Sequence, residues 1–359
     1  MRLEFIVTML LGGLAFRWGI SVGRVLLRKG ATANDLFKGN PLLSVLFLGL
    51  YIGLVVLALN VPQLPVLPIE WRVYGMQITW SILRIVLLGF CGLAFIITWK
   101  TARLQVAAVA LVGLLGLAGF GASESYFLSP IYPELANNLQ PNGVFQQTSM
   151  SSCAPAALAT VLRRWGIEAT ESSVAKLAGT SRLGTSMPQL IVAARELGME
   201  GAELSPSWEQ MQRINRPGVL GVWLISGGRK LPHAVALLAM DNDRAVIGDP
   251  ARGRIFVLDR QQFAEIWRQE YVPIFRPGDE QLSVDRATNY LKTLGYLSPA
   301  AADIQPAIRK FQTAMRVAQT GNLDIKTTLL LTGSFLKAVP TLDTPFGTYS
   351  EQESEATIS

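Results

Sequence analysis

Apolar and polar positions are distributed very differently in the two parts of the chain. Up to residue 121, long apolar runs alternate with short basic loops; beyond it, apolar positions recur at helix and strand spacings. Pro41–Asn60 (PLLSVLFLGLYIGLVVLALN) carries no charge over about twenty residues, the length a helix needs to cross a ~30 Å hydrocarbon core. Leu104–Gly121 is a second clean run. Met76–Trp99 is a third, with Arg84 about two turns in, placed either to snorkel or to face a neighbouring helix. Leu3–Phe16 spans only if its helix continues past Arg17 towards Gly23. A cleaved signal peptide is the rival there, and no small-x-small cleavage site follows. The pattern predicts four membrane spans within 1–121.

The stretch 122–143 is rich in Ser, Pro, Asn and Gly and reads as a linker. A globular pattern starts at Val144. Ala156–Trp165 has helical apolar spacing, with Arg163 and Arg164 on the outer side. Ser151 or Ser152 stands at the N-cap, and Pro155 fits a first helical turn. Gly218–Ser226 (GVLGVWLIS) predicts a strand followed by a GGRK turn. His233–Met240 (HAVALLAM) predicts a second and Arg244–Asp249 (RAVIGD) a third, with Asp241-Asn242-Asp243 as the turn between them.

Charge supplies an orientation. Residues 1–122 hold 10 Lys and Arg against 3 Asp and Glu, whereas 123–359 hold 22 against 23. The net charge of +6 therefore belongs to the apolar part. Arg17, Arg24, Arg28, Lys29 and Lys38 lie between the first two spans, and Lys100 and Arg103 between the last two. The positive-inside rule puts both loops in the cytoplasm and everything after residue 122 on the extracytoplasmic, periplasmic side of the cytoplasmic membrane. No basic stripe with interleaved aromatics argues for a nucleic-acid partner. No GxxxxGK[ST] loop is present, so an ATP-driven motor is excluded from this sequence.

The chemistry rests on few residues. Two cysteines, Cys91 in an apolar run and Cys153 in the polar part, exclude a disulfide framework. One histidine, His233, excludes a His-rich metal site, and no cofactor is implied. Cys153 falls at a helix N-terminus, where the helix dipole favours the thiolate and lowers the pKa. With a hairpin centred on residue 241, His233 and Asp249 stand directly opposite on one face of the sheet. A carboxylate there fixes the tautomer of the imidazole and stabilises its protonated form. Taken singly, the three read as a buried cysteine, a satisfied core histidine and a turn aspartate. Together they point to nucleophilic catalysis.

These residues carry a resemblance. Gln147 precedes Cys153 by six positions, His233 follows it by eighty, and Asp249 comes sixteen later. The run HAVALLAMDNDRAVIGDPARGRIFVLDRQQFAEIW adds a His strand, a hairpin, an Asp-Pro turn, another strand and a helix ending at Trp267. Residues 144–276 resemble the cysteine peptidases that process double-glycine leaders in bacteriocin exporters, and their stand-alone relatives (peptidase family C-thirty-nine). The resemblance implies a papain-like α+β domain with Cys153 as nucleophile, His233 as general base and acid, and Asp249 orienting the imidazole. Gln147, with Gln146 as the rival, and the Cys153 N–H would form the oxyanion hole. The exporter members have Asp-Cys-Gly where this chain has Ser152-Cys153-Ala154, and they carry the peptidase before an ATP-driven transporter.

Further on, LKTLGYL (Leu291–Leu297), AIRKFQ (Ala307–Gln312) and TGNLD (Thr320–Asp324) precede a last helix from Ile325, with Leu291, Leu294, Leu297, Ile308 and Phe311 at core spacing. Residues 281–335 resemble the three-helix peptidoglycan-binding domains found beside wall hydrolases, departing from them over Ser298–Gln305. A purely structural bundle is the alternative. The stretch 336–359 is polar and acidic and reads as a disordered tail. The expectation is a multi-domain membrane protein: a helical transmembrane bundle, a papain-like α+β peptidase and a small three-helix domain. Its partners would be a peptide or protein substrate, peptidoglycan and the bilayer. The alternatives are a peptidase fold that recognises without turnover, and an accessory to a membrane transport or assembly system.

Overall fold

Arg17 does not end the first apolar run. Helix α1 (Arg2–Arg28) passes through it, leaves the guanidinium side exposed, and supplies an apolar stretch from Ile6 to Arg28 long enough to cross a bilayer. The computed structural model describes residues 2–34, 67–298 and 303–344, with scattered positions between 45 and 64. Most of the expected span Pro41–Asn60 lies outside the described residues. Helices α2 (Ile69–Thr101) and α3 (Gln105–Phe127) contain the other two runs, so three described helices are long and apolar enough to span a membrane. Helix α1 packs on α2 through glycines. A Cβ at Gly19 would overlap the Gly89 carbonyl oxygen, and one at Gly92 the Phe16 carbonyl oxygen. Small residues permit this backbone approach where lipid offers no hydrophobic drive for association. Arg84 is ion-paired with Glu124 of α3. Glu124 belongs to the stretch read as linker, but the helix continues through Phe127.

The chain separates into two units, Met1–Ser129 and Pro130–Ser359. In the second, a short pair of strands, β1 (Asn138–Leu139) and β2 (Phe145–Gln146), leads into helices α4 (Cys153–Arg164), α5 (Glu171–Leu177) and α6 (Met187–Glu196). There follow β3 (Glu200–Gly201), α7 (Trp208–Ile214), β4 (Gly218–Ser226), β5 (Arg229–Met240), β6 (Arg244–Asp249), β7 (Arg254–Asp259), α8 (Arg260–Ile266) and β8 (Trp267–Phe275). The six strands form one antiparallel sheet in the order β3-β8-β4-β5-β6-β7. Strand β5 begins at Arg229, four residues before the expected start. Gly227 and Gly228, at φ +55° and +74°, form a two-residue turn whose twist matches the strands it joins.

Helix α4 covers one face of this sheet. Its residues from Ala156 to Leu162 are buried and, apart from Thr160, apolar, and a Cβ added at Gly248 of β6 would meet Thr160 and Val144. The alternate positions Leu220, Val222, Val235, Leu237 and Ile247 join Met211, Ile214, Phe263 and Ile266 of α7 and α8 in a second core layer. The architecture is an α+β sheet between helices.

The C-terminal helices α9 (Val284–Thr293), α10 (Gln305–Ala314) and α11 (Ile325–Thr332) form as expected, with Leu291, Ile308 and Phe311 buried. They do not pack by themselves. Their buried residues continue the core layer of the sheet, because α11 is buried from Thr327 to Thr332 and packs against α7 as well as α9. The buried Arg216 ties them further. Its guanidinium donates to the Ile214 and Leu329 carbonyls and to Thr332 Oγ1. The tail read as disordered is in place as far as residue 344. Leu342 is fully buried, and its N–H and C=O bond Asn215 Oδ1 and the Met240 N–H, both at close to 2.8–2.9 Å. One apolar side chain and two backbone bonds outweigh the polar composition around them.

Candidate active site

Cys153 is the first residue of α4. Ser152 occupies the N-cap position without capping the helix. Its hydroxyl instead bonds the Ser149 carbonyl at 2.9 Å and receives the Ser149 N–H at 3.1 Å, closing the loop before the helix. The neighbouring Ser151 hydroxyl donates to the Arg182 carbonyl. Pro155 lies in the first turn, where its missing N–H interrupts nothing, and the ladder begins with Ala156 N–H to the Ser152 carbonyl at 3.0 Å.

Across the sheet, His233 is buried on β5 and Asp249 ends β6, also buried. His233 Nε2 lies 2.7 Å from Asp249 Oδ1. They are not cross-strand partners. The register runs Ala236↔Gly248 and Leu237↔Ile247, then shifts by one at Leu238 before Ala239↔Val246. Continued outward, it sets Asp249 against Val235, so His233 is the diagonal neighbour on the same face. A diagonal pair of long side chains meets across ~7–8 Å of backbone separation. The expected direct opposition is therefore corrected by two residues. The turn rests on Asn242 and Asp243, held by Asp241 Oδ1 accepting from the Asp243 and Arg244 N–H groups, and the bulge adds a residue to β5.

With Nε2 engaged by Asp249, Nδ1 is the ring nitrogen left for the Cys153 thiol, which hydrogen-bonds the imidazole. Burial pushes the Cys153 pKa up, but the hydrogen bond and charge of His233 and the Ala234 and Ala154 N–H groups bring it below its usual value. Burial acts on His233 in the opposite sense. The bonds to Asp249 and Cys153 outweigh it and raise the imidazole to about 9. Both shifts favour a thiolate–imidazolium pair. Among the described residues, no three His, Cys, Asp or Glu side chains converge as a metal site.

Gln147 is fixed beside both halves of the site. Its N–H donates to the Pro250 carbonyl at 2.9 Å, next to Asp249, and its Nε2 donates to the Ser149 carbonyl at 2.9 Å in the loop before Cys153. Its Oε1 is buried without a partner. Gln146 has a different employment: its Oε1 accepts from Asn138 Nδ2 and Gln140 Nε2 at 3.0 and 3.1 Å. One contributor escapes the sequence. The fully buried Glu171 carboxylate accepts from the Thr148 N–H at 2.8 Å and the Thr148 hydroxyl at 2.9 Å, holding the residue after Gln147. A glutamate in the first turn of α5 gives no signal of this besides its favourable place at a helix start.

The comparisons fall on this region. An uncharacterized protein of Methanothermobacter thermautotrophicus is 32% identical over 145 residues, 40% of this chain and 96% of that protein. The lactococcin-G-processing and transport ATP-binding protein of Lactococcus lactis is 29% identical over 112 residues, which is 31% of this chain and only 16% of that protein. The crystal structure of the peptidase domain of Streptococcus ComA, an ABC transporter, aligns at 22% identity with a TM-score of 0.34, covering 38% of this chain and 98% of that one. The Peptidase C39 family model matches residues 142–280, the segment that contains Gln147, Cys153, His233 and Asp249. Through that segment, the chain belongs to the Peptidase C39 family.

Proposed function

We propose that this is a membrane-anchored cysteine endopeptidase. Cys153 attacks the carbonyl carbon of a peptide bond, and the His233 imidazolium gives its proton to the leaving amine. Neutral His233 then activates the water that hydrolyses the thioester and restores the thiol. Asp249 holds the imidazole with Nδ1 towards sulfur. The Cys153 backbone N–H and the Gln147 amide stabilise the oxyanion. The observation that carries the reading is the buried His233–Asp249 pair facing the half-buried Cys153 at a helix N-terminus.

The substrate is a peptide or protein segment. A Gly-Gly-containing leader is the first to try, because the lactococcin-G-processing relative and the peptidase crystallised with a leader peptide are similar to this segment. The basic loops of the membrane part favour an extracytoplasmic location for the peptidase, and reporter fusions after residue 130 test it. Activity of the reporter only in the cytoplasm removes that location. The wall-binding reading of 281–335 rests on its sequence pattern; sedimentation of the purified chain with insoluble peptidoglycan tests it.

The decisive experiment compares wild type with Cys153→Ala. The wild type is expected to cleave a peptide library and to be labelled at Cys153 by a thiol-reactive peptidyl acylating probe, whose activated carbonyl the thiolate attacks with loss of the leaving group. Equal cleavage by the alanine variant sinks the assignment, and a proteomic comparison of cells carrying the two forms identifies the substrate.

A further inference from the structure

Beyond the family-matched segment, residues 341–344 bind two elements that carry the site. The Leu342 carbonyl accepts from the Met240 N–H on β5, two positions beyond the bulge at Leu238. The Thr344 hydroxyl receives Arg164 Nη2 at 2.7 Å, and Nη1 of the same guanidinium donates to the Leu238 carbonyl. Arg164 is the last residue of the helix that begins at Cys153, and Leu238 and Met240 lie on the strand that carries His233. Asn215 of the α7 C-cap completes the attachment, donating through Nδ2 to Asp343 and accepting the Leu342 N–H at 2.8 Å.

The bulge matters because it sets the register that makes Asp249 the diagonal neighbour of His233. The lever is long. Cys153 and Arg164 are separated by about 16 Å of helix at 1.5 Å per residue, so a tilt of about 4° pivoting at the Arg164 end moves the thiol by about 1 Å. A displacement of about 1 Å in a catalytic geometry costs on the order of 10²-fold in rate.

We infer that Arg164, Leu342 and Thr344 form a positioning clasp, in which the C-terminal strap locks the far end of the Cys153 helix to the bulge of the His233 strand and thereby sets the thiolate–imidazolium geometry. The inference rests on the cysteine-peptidase reading and deepens it. Arg164, Leu342 and Thr344 act through Cys153 and His233 and do not touch the reacting atoms. The C-terminal helices, whose core is continuous with the sheet, deliver the strap to its place.

The test uses the full chain in detergent with Cys91→Ser, leaving Cys153 as the single thiol. The rate of alkylation by iodoacetamide is measured against pH in this background and in Arg164→Gln, Arg164→Lys, Thr344→Val and a truncation after Pro340. Peptide cleavage and thermal midpoint are followed in parallel. Arg164→Gln and the truncation are expected to move the alkylation inflection up towards the ordinary thiol value of about 8.5 and to lower kcat/KM by about 10²-fold. Arg164→Lys is expected to recover part of both. Thr344→Val, which removes the hydroxyl's bonds to Arg164 and to the Thr341 carbonyl but no chain, is expected to move the inflection in the same direction with little change in thermal midpoint. Variants that lower the midpoint but keep the wild-type inflection overturn the clasp, leaving those contacts structural. An ordinary thiol inflection in the Cys91→Ser background itself overturns the peptidase reading, a separate result.

Discussion

His233 and Asp249 meet as diagonal neighbours across β5 and β6, with Nε2 and Oδ1 2.7 Å apart. This contact consumes the ring nitrogen further from the main chain and commits Nδ1 to Cys153. It also keeps the imidazole charged well beyond neutrality, at about 9. Peptide cleavage should therefore follow a bell in pH. Its acid limb reports the Cys153 thiol, below the usual thiol value, and its alkaline limb the loss of the imidazolium proton near 9. Asp249→Asn removes a cause that raises His233, so the alkaline limb should move down and kcat/KM should fall on the order of 10²-fold. An unmoved alkaline limb would show that Asp249 does not control the imidazole.

Gln147 separates binding from catalysis. If its amide serves the oxyanion, Gln147→Ala should lower kcat by roughly 10²–10³-fold with little change in KM. The Cys153 thiolate, set by His233, Ala234 and Ala154, should alkylate at the wild-type rate. Gln146→Ala makes the contrast, since its side chain bonds Asn138 and Gln140 and should affect kcat little. A KM effect alone in Gln147→Ala would assign the residue to substrate binding.

The sequence carried the strands β4 and β6 residue for residue, since Gly218–Ser226 and Arg244–Asp249 are apolar runs bounded by turn residues. It also placed Cys153 at the helix start, because Pro155 and the polar serines mark a first turn. The His233–Asp249 offset was not legible: a bulge leaves no mark in the alternation of VALLAM. Strand β8 was not read either. It contains Pro273 and a left-handed Gln269 at φ +60°, features that argue locally against a strand; Pro273 is nonetheless paired with Gly218 of β4, and Gln269 falls in the irregularity between the Glu270 and Trp267 pairs. The packing of the 281–335 helices on the sheet was not legible for a related reason. Amphipathic spacing says which side of a helix is buried, but not that the apolar surface it meets belongs to the preceding sheet.

Glu171 offers a test of loop support. Its buried carboxylate accepts two hydrogen bonds from Thr148. Glu171→Ala leaves the Thr148 N–H without that acceptor and should cost about 2–3 kcal/mol of stability, read from urea midpoints. Activity should fall further than the folded fraction does, because Thr148 adjoins Gln147. Glu171→Gln keeps an acceptor oxygen for Thr148 and should be milder on both counts. Equal effects of the two variants would argue against hydrogen bonding as the cause.

The membrane helices give a prediction whose sign is set by position alone. Alanine is intrinsically favoured over glycine in a helix interior by up to about 1 kcal/mol. At Gly13 of α1, an added Cβ meets nothing within 4 Å, so Gly13→Ala should leave the thermal midpoint of the purified chain unchanged or raise it. At Gly19, six residues further along the same helix, the same methyl would overlap the Gly89 carbonyl oxygen of α2. Two backbones must then separate, since neither neighbour is a flexible side chain, and overpacking of this kind costs roughly 1–3 kcal/mol. Gly19→Ala should therefore lower the midpoint in the same detergent, and Gly92→Ala, which meets the Phe16 carbonyl, should do likewise. A Gly19→Ala midpoint equal to that of Gly13→Ala would mean that α1 and α2 do not touch at the glycines in the folded protein.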